Sequence, residues 1–354
     1  MAASAILAAG APQHQAFNCA TTPPDFQSGW RKPCVPASCG RSAGRTRISL
    51  QIRSAVLLLM LALLLLAAGC ARRPDTGLTV LKPKSLGELR GILLDHKAGY
   101  QEFKLRGPFS VVENDDYELR LSTTELIKTD LYLSGHGEKA PLVIFLHGYD
   151  AKKQNHAFQA MHVASWGMHS MTLQLPNRGS WITNGRTLAK VVKFIHRWPE
   201  IIDGRIDTSK IILVGHSFGG AAVAVALADG APAAGGILLD PAAVGTAFPG
   251  FFRKVSAPVM LLGADEKVAV AVNRDYFFRF IQGSVFEVSI KDAAHEDGQY
   301  PADSGIATEE MQIAFAGALT ASAFSLSSFG NFDFAWKSFD SALASGQLLK
   351  PRKK

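Results

Sequence analysis

Beyond residue 70 the sequence contains no cysteine, because all four cysteines lie in the first 70 residues: Cys19, Cys34, Cys39 and Cys70. No disulfide can therefore hold the main part of the chain together, and its stability must come from an apolar core. Apolar residues make up 47% of the 354 residues and charged residues only 19%, which is enough for a sizeable core. This composition fits a reducing compartment, or an exported bacterial protein that folds without disulfides.

The sequence also lacks a basic stripe interleaved with aromatic residues. The formal net charge is +7, but residues 1–70 hold six basic side chains against one acid, leaving 31 basic and 29 acidic residues for 71–354. The last basic cluster is the terminal PRKK, which we expect to be a frayed tail. This distribution argues against a nucleic-acid partner. No His, Asp and Glu set has metal-ligand spacing, so we predict neither a metal site nor a cofactor.

A short apolar run, SAVLLLMLALLLLAAGC, occupies 54–70 and follows Arg45, Arg47 and Arg53. Its length suits the hydrophobic part of an export signal better than a spanning helix. The small residues leading to Cys70 resemble the lipobox of bacterial lipoproteins, with Ala67 where leucine is usual. The resemblance implies cleavage before Cys70 and a diacylglycerol on its thiol, hence an exported protein anchored to a membrane.

The residues upstream of this run leave alternatives open. In one reading, translation starts near residue 50 and the residues before it are not part of the protein. In a second, the Ser- and Arg-rich stretch 1–53 is an organelle transit peptide. In a third, the apolar run 54–70 is an uncleaved membrane anchor. In each case we expect a targeting segment over 1–70, a polar linker over 71–97 and one folded domain over 98–354.

From residue 98 the sequence alternates strand-like and helix-like segments. Residues 117–135 show the period-two pattern of antiparallel strands, whereas 140–148 (APLVIFLHG) is a solid apolar run typical of a strand buried on both faces. Residues 184–202 have apolar side chains at helical spacing. Steady alternation of this kind predicts a mostly parallel central sheet with helices on both faces.

One serine stands between a buried strand and a helix, in IILVGHSFGGAAVAVALA. In Gly-x-Ser-x-Gly the serine sits in a strained turn that lifts its hydroxyl above the sheet, and Gly215 and Gly219 avoid collisions with neighbouring elements. We therefore predict that Ser217 is a nucleophile. The oxyanion hole should use the backbone N–H of Phe218 and that of Tyr149, in the loop FLHGYD, where His147 shapes the loop.

A serine nucleophile needs a base and an orienting acid. His295 follows the last predicted strand and suits the base, and we expect the side chain of His216 to point away from the serine. The remaining histidines considered precede the serine: His136, His156, His162, His169 and His196. For the acid, Asp240 ends the strand after the nucleophile strand and Asp265 ends the one after that. Both lie at the carboxyl edge of the predicted sheet, so position alone leaves the choice open.

Over residues 115–325 these motifs resemble the α/β-hydrolase superfamily. The spacing of GHSFGGA and LLDPA is similar to platelet-activating-factor acetylhydrolases, and KDAAHED and HGYDAKK resemble chlorophyllases. The tyrosine of HGYDAKK and the GADEK loop are similar to bacterial polyester-degrading cutinases, but Lys267 stands where their catalytic aspartate lies. The resemblance therefore favours Asp240 over Asp265 and implies an α/β-hydrolase fold.

The resemblance also implies hydrolysis of a carboxylic ester through an acyl-enzyme, with a small-molecule or lipid ester as substrate. Two alternatives remain: a binding lipoprotein that keeps the fold without turnover, and a cofactor-free haloperoxidase- or lyase-type relative with the same triad. We expect the apolar segment 241–257 to form one wall of the substrate pocket.

Overall fold

The computed structural model describes residues 83–95, 99–265, 271–299, 308–329 and 332–354. The predicted signal at 54–70, with Cys70, lies outside the described residues. Within the described part of the chain, every helix is too short or too polar to cross a bilayer.

The elements of the first half alternate as the sequence predicts, in the order α1 (Leu86–Asp95), α2 (Tyr100–Phe103), β1 (Val111–Arg120), β2 (Leu126–Ser134), β3 (Ala140–Leu146), α3 (Ala157–Ser165), β4 (His169–Gln174) and α4 (Trp181–Arg197). The second half continues with β5 (Ile206–His216), α5 (Phe218–Ala228), β6 (Gly235–Leu239), α6 (Phe248–Phe252), β7 (Val259–Ala264), α7 (Ala271–Phe280), β8 (Val285–Ile290), α8 (Glu309–Phe324), α9 (Asp333–Ala344) and β9 (Leu348–Lys353). Single turns of 3-10 helix cover Lys153–His156, Pro199–Ile201 and Glu296–Gly298, and a π-helical turn covers Ser325–Phe329.

The strands of the described residues form one sheet in the order β1-β2-β4-β3-β5-β6-β7-β8-β9. Strands β3 to β8 run parallel, whereas β1 and β2 at one side and β9 at the other pair antiparallel with their neighbours. The prediction of a mostly parallel central sheet with helices around it is confirmed. The carboxyl ends of the parallel strands share one edge, so the loops that follow β3, β5, β6 and β8 meet there.

The central strands β3, β6, β7 and β8 are buried on both faces. Side chains that alternate along a strand enter two different cores. On β3, Val143 and Phe145 pack into the core beneath α8 and α9, while Leu142 and Ile144 pack into the core beneath α4 and α5. All residues of β3 are buried, as the unbroken apolar run predicts.

Two predictions about the ends of the domain are wrong. Residues 86–95 of the predicted linker form α1, whose Leu89 and Leu93 are about 1% exposed and belong to the core. Burial of two leucines contributes roughly 3–6 kcal/mol, which fixes this helix to the domain. The terminal PRKK is not frayed, because Leu348–Lys353 pairs with β8 as an edge strand.

Candidate active site

Ser217 occupies the turn between β5 and α5 with φ of 53° and ψ of −125°. A positive φ is strained for serine and persists only where the surroundings fix it. The Ser217 N–H donates to the carbonyl of Leu239 at 3.1 Å, and the Ser217 carbonyl accepts from the N–H groups of Gly220 and Ala242. The turn is therefore held from both sides, by β6 and by the first turn of α5.

The two glycines of the motif allow the close approaches that this turn requires. A Cβ at Gly219 would lie 2.5 Å from the carbonyl oxygens of both Leu146 and His147, at the end of β3. A Cβ at Gly215 would lie 2.3 Å from the carbonyl oxygen of Gly219. Both contacts are with backbone atoms that cannot move independently, so the helix and strand meet only because these positions are glycine.

His295 and Asp240 are joined by a hydrogen bond of 2.7 Å between Nδ1 and Oδ2. Asp240 follows β6 and is fully buried, whereas the side chain of His295 is 14% exposed. The second carboxylate oxygen of Asp240 accepts from the N–H of Ala264 at 3.1 Å. Since a carboxylate can only accept, Nδ1 of His295 carries a proton, and in the neutral ring Nε2 is then free to accept one.

The other candidate acid has a different partner. The carboxylate of Asp265 pairs with Lys350 of β9 at 2.9 Å, and its backbone N–H donates to the carbonyl of Ala293. The contact that a triad acid must make with His295 is thus made by Asp240.

Ser217 and His295 line the same cavity of about 190 Å³, together with Tyr149, His216, Glu296 and Gln299. The predicted second oxyanion donor, Tyr149, therefore faces the same space as Ser217. Phe218, the predicted first donor, is the first residue of α5, where backbone N–H groups have no partner within the helix. Such N–H groups stabilise a developing negative charge.

Two buried side chains hold the loop that carries Tyr149. The ring nitrogens of His147 lie 2.9 Å from the carbonyl oxygens of Gly148 and Leu175, and burial lowers the pKa of His147. The N–H of Gly148 donates to Oε1 of Gln299 at 2.5 Å. His147 thus lies where a loop-shaping residue is expected. Gln299 was missed, since a lone glutamine four residues after His295 has no sequence signal.

The expectation that His216 points away from the site is wrong. Its ring lies 4.5 Å from that of His295, centroid to centroid, and its Nε2 donates to the carbonyl of His295 at 2.7 Å. Burial, with the neighbouring His295, lowers the pKa of His216 well below its usual value. His216 is therefore neutral at pH 7 and holds the His295 loop through its backbone.

A second cavity of about 350 Å³ adjoins the first through Tyr149, which lines both. Its walls are mostly apolar, and the indole of Trp181 stacks on the ring of Phe218 at 5.7 Å. The predicted segment 241–257 supplies Val244 and Phe248. The contribution of Trp181 and Ile182, at the start of α4, was not predicted.

Within the described residues, no three His, Cys, Asp or Glu side chains are grouped to hold a metal ion.

The sequence comparison agrees with the fold. A model of the Alpha/beta hydrolase family matches residues 143–343, more than half of the chain, and the protein belongs to this family. Its members are mostly hydrolytic enzymes, so membership indicates hydrolase activity. No curated protein matches the chain.

Proposed function

We propose that the protein is a serine hydrolase that cleaves a carboxylic ester through an acyl-enzyme. The observation that carries the proposal is the hydrogen bond between His295 and buried Asp240, in a cavity shared with the strained Ser217. A base oriented by a carboxylate beside a serine at a strand–helix turn is the arrangement that activates a hydroxyl as nucleophile.

In the proposed reaction, Oγ of Ser217 attacks the ester carbonyl while Nε2 of His295 takes the hydroxyl proton. The negative charge on the carbonyl oxygen is stabilised by the backbone N–H groups of Phe218 and Tyr149. His295 then gives the proton to the leaving alcohol, and the acyl group remains on Ser217. A water molecule, deprotonated by His295, attacks the acyl-enzyme and releases the acid. Asp240 stays ionised and orients the imidazole throughout.

The apolar cavity beside Ser217 supports an ester with an apolar acyl or alcohol group. Its volume of about 350 Å³ equals that of roughly a dozen water molecules in the liquid, at about 30 Å³ each. Tyr149 and Val244 are 52% and 70% exposed at its rim, so a longer group can continue into solvent. Anchoring through a lipid on Cys70 would keep the enzyme near such substrates.

A fluorophosphonate probe and a panel of p-nitrophenyl esters test the proposal together. We expect the probe to label Ser217, and the Ser217→Ala variant to lose both labelling and turnover, by at least about 10³-fold in rate. Ser256→Ala, which changes an exposed serine before β7, is the matched control and should keep both. A probe found on another serine, or no labelling of the folded wild type, would overturn the proposal. Across the panel, we expect turnover to rise with acyl length until the apolar cavity is filled, and to gain nothing from longer chains.

A further inference from the structure

Arg274 lies buried against the proposed triad acid, Asp240, and lines neither of the two cavities described above. It belongs to α7, and its side chain is 7% exposed. Nε lies 3.5 Å from Oδ1 of Asp240, while Nη1 donates to the hydroxyl of Ser289 at 3.0 Å. Nε also lies 4.0 Å from a carboxylate oxygen of Glu287. A charged side chain is rarely buried this deeply unless it is paired, and here both acidic partners are themselves buried.

The guanidinium of Arg274 occupies the space that a side chain at Gly263, on β7, would otherwise fill. A Cβ at Gly263 would lie 1.2 Å from Nη1 and 2.2 Å from Cζ of Arg274. Any side chain at position 263 would therefore displace the guanidinium from Asp240. The position of the Arg274 guanidinium therefore depends on the absence of a side chain at Gly263 as well as on its charged and polar partners.

Charges of alternating sign continue from the active site to the C-terminal strand. Glu287 on β8 pairs with Arg352 on β9 at 2.6 Å, and Arg352 pairs with the exposed Asp275 at 2.6 Å. Burial raises the pKa of Glu287, an effect that Arg352 and Arg274 oppose. The series Asp240, Arg274, Glu287 and Arg352 thus connects the proposed triad acid with β9.

We propose that Arg274 is a positioning residue for Asp240: it orients the carboxylate toward His295 and limits how strongly that carboxylate stabilises the protonated imidazole. The inference rests on the proposed roles of Asp240 and His295. A cation near the carboxylate repels the positive charge that the imidazole gains on protonation, and this repulsion offsets part of the attraction from Asp240. Arg274 therefore weakens the ion pair that Asp240 forms with the imidazole once His295 has taken a proton.

The other groups around His295 do not supply this effect. From β5, His216 is neutral at pH 7 because burial lowers its pKa. Glu296 follows His295 directly, and the phenol of Tyr149 faces the same cavity from the β3 loop. The carboxylate of Glu296 would favour the protonated imidazole of His295, which is the opposite effect. The phenol of Tyr149 carries no positive charge that could oppose protonation. Among these neighbours, Arg274 is the cation placed against the carboxylate that holds His295.

The test is the pH profile of kcat/KM for an activated ester, together with NMR titration of the His295 imidazole, which does not depend on turnover. In Arg274→Gln we expect the acid limb and the NMR midpoint to move upward by roughly half a pH unit to one unit. Gly263→Ala should shift them in the same direction, because it displaces the guanidinium. Glu287→Gln should shift the acid limb and the NMR midpoint downward, because the charge of Arg274 is then balanced by Asp240 alone. Arg279→Gln, an exposed arginine on the same helix, is the matched control and should shift neither.

A purely structural role for Arg274 would lower stability or active fraction and leave both midpoints unchanged, and that result would overturn the proposal. An equal shift in Arg279→Gln would also overturn it, by showing a general effect of net charge. If Arg274→Gln does not fold, the charge-balanced Arg274→Gln/Glu287→Gln variant replaces it, with a smaller upward shift expected. If the wild type hydrolyses no ester, the proposed function fails, while the NMR midpoints still decide the role of Arg274.

Discussion

Replacing Asp240 by asparagine is the sharpest test of the proposed triad, because the sequence offers a second acid at Asp265. The substitution keeps the size of the side chain and removes its charge. His295 would then lose the acceptor that holds the proton on Nδ1, and an amide N–H at this position favours the wrong tautomer of the ring. Neutralising a triad acid in this way lowers kcat by about 10⁴-fold. We expect a loss of that order for Asp240→Asn.

The structure also predicts an effect of Asp240→Asn on stability. The carboxylate is fully buried, accepts from the N–H of Ala264 and lies against Arg274. Removing one partner of a buried ion pair costs about 3–5 kcal/mol. Glu287 continues to balance Arg274, so we expect a cost near the lower end, about 3 kcal/mol, measured by urea unfolding. Rates must therefore be normalised to the folded fraction.

Asp265→Asn is the matched control. Its side chain is 26% exposed and pairs with Lys350, a contact worth at most about 1 kcal/mol at a surface. We expect its kcat/KM to fall less than roughly tenfold. Steady-state hydrolysis of p-nitrophenyl butyrate by both variants gives the comparison. If Asp265→Asn loses the larger factor, Asp240 is a turn residue and the assignment of the acid is wrong.

Three further predictions concern the turn, the acid stability and the N-terminal segment. Gly219→Ala should lower the melting temperature and abolish most activity, because the new Cβ would lie 2.5 Å from two carbonyl oxygens. Gly204→Ala is the control: no atom lies within 4 Å of its Cβ position, so it should change neither property. Burial lowers the pKa of His156, His162 and His169 to about 4. As the pH falls below 6.5, these histidines are protonated in the unfolded chain before they are protonated in the folded protein, so acid favours unfolding. Each histidine should therefore lower the free energy of unfolding by about 2 kcal/mol between pH 7 and pH 5. Urea unfolding of His162→Gln should show a weaker pH dependence, and an unchanged dependence would contradict the burial argument. Cys70→Ala should release the protein from membranes or leave an uncleaved precursor, and mass spectrometry of a mature chain starting elsewhere without lipid would refute the anchor.

The centre of the fold was predictable because its strands are buried on both faces. Runs such as APLVIFL and IILVGHSFGG are apolar throughout, and each is followed by a helical segment, so the alternation alone defines the parallel sheet. The strand ends then bring Ser217, Asp240 and His295 to one edge. Position did not separate Asp240 from Asp265, because that choice depends on where each side chain points after its strand.

The parts that sequence reasoning missed are those whose structure depends on a distant partner. LLKPRK is polar and basic, and it becomes a strand because β8 offers a free edge and Glu287 an acidic partner for Arg352. Helix α7 carries Arg274, whose buried position depends on the absent side chain at Gly263. His216 was assigned the wrong direction because its orientation depends on the carbonyl of His295, 79 residues further along the chain.

Whether separate molecules can pair edge to edge depends on the two outer strands of the sheet, β1 and β9. β1 carries Glu113, Asp115, Asp116 and Glu118, whereas β9 carries Lys350, Arg352 and Lys353. Opposite charge on two open strand edges would attract one molecule to the next, and repeated head-to-tail pairing would build a continuous ribbon. The backbone interrupts both edges: β1 shifts register between Asn114 and Tyr117, and β9 turns through a positive φ at Lys350 before Pro351, which has no N–H to donate. Each edge thus lacks the regular ladder of donors and acceptors that such a ribbon requires.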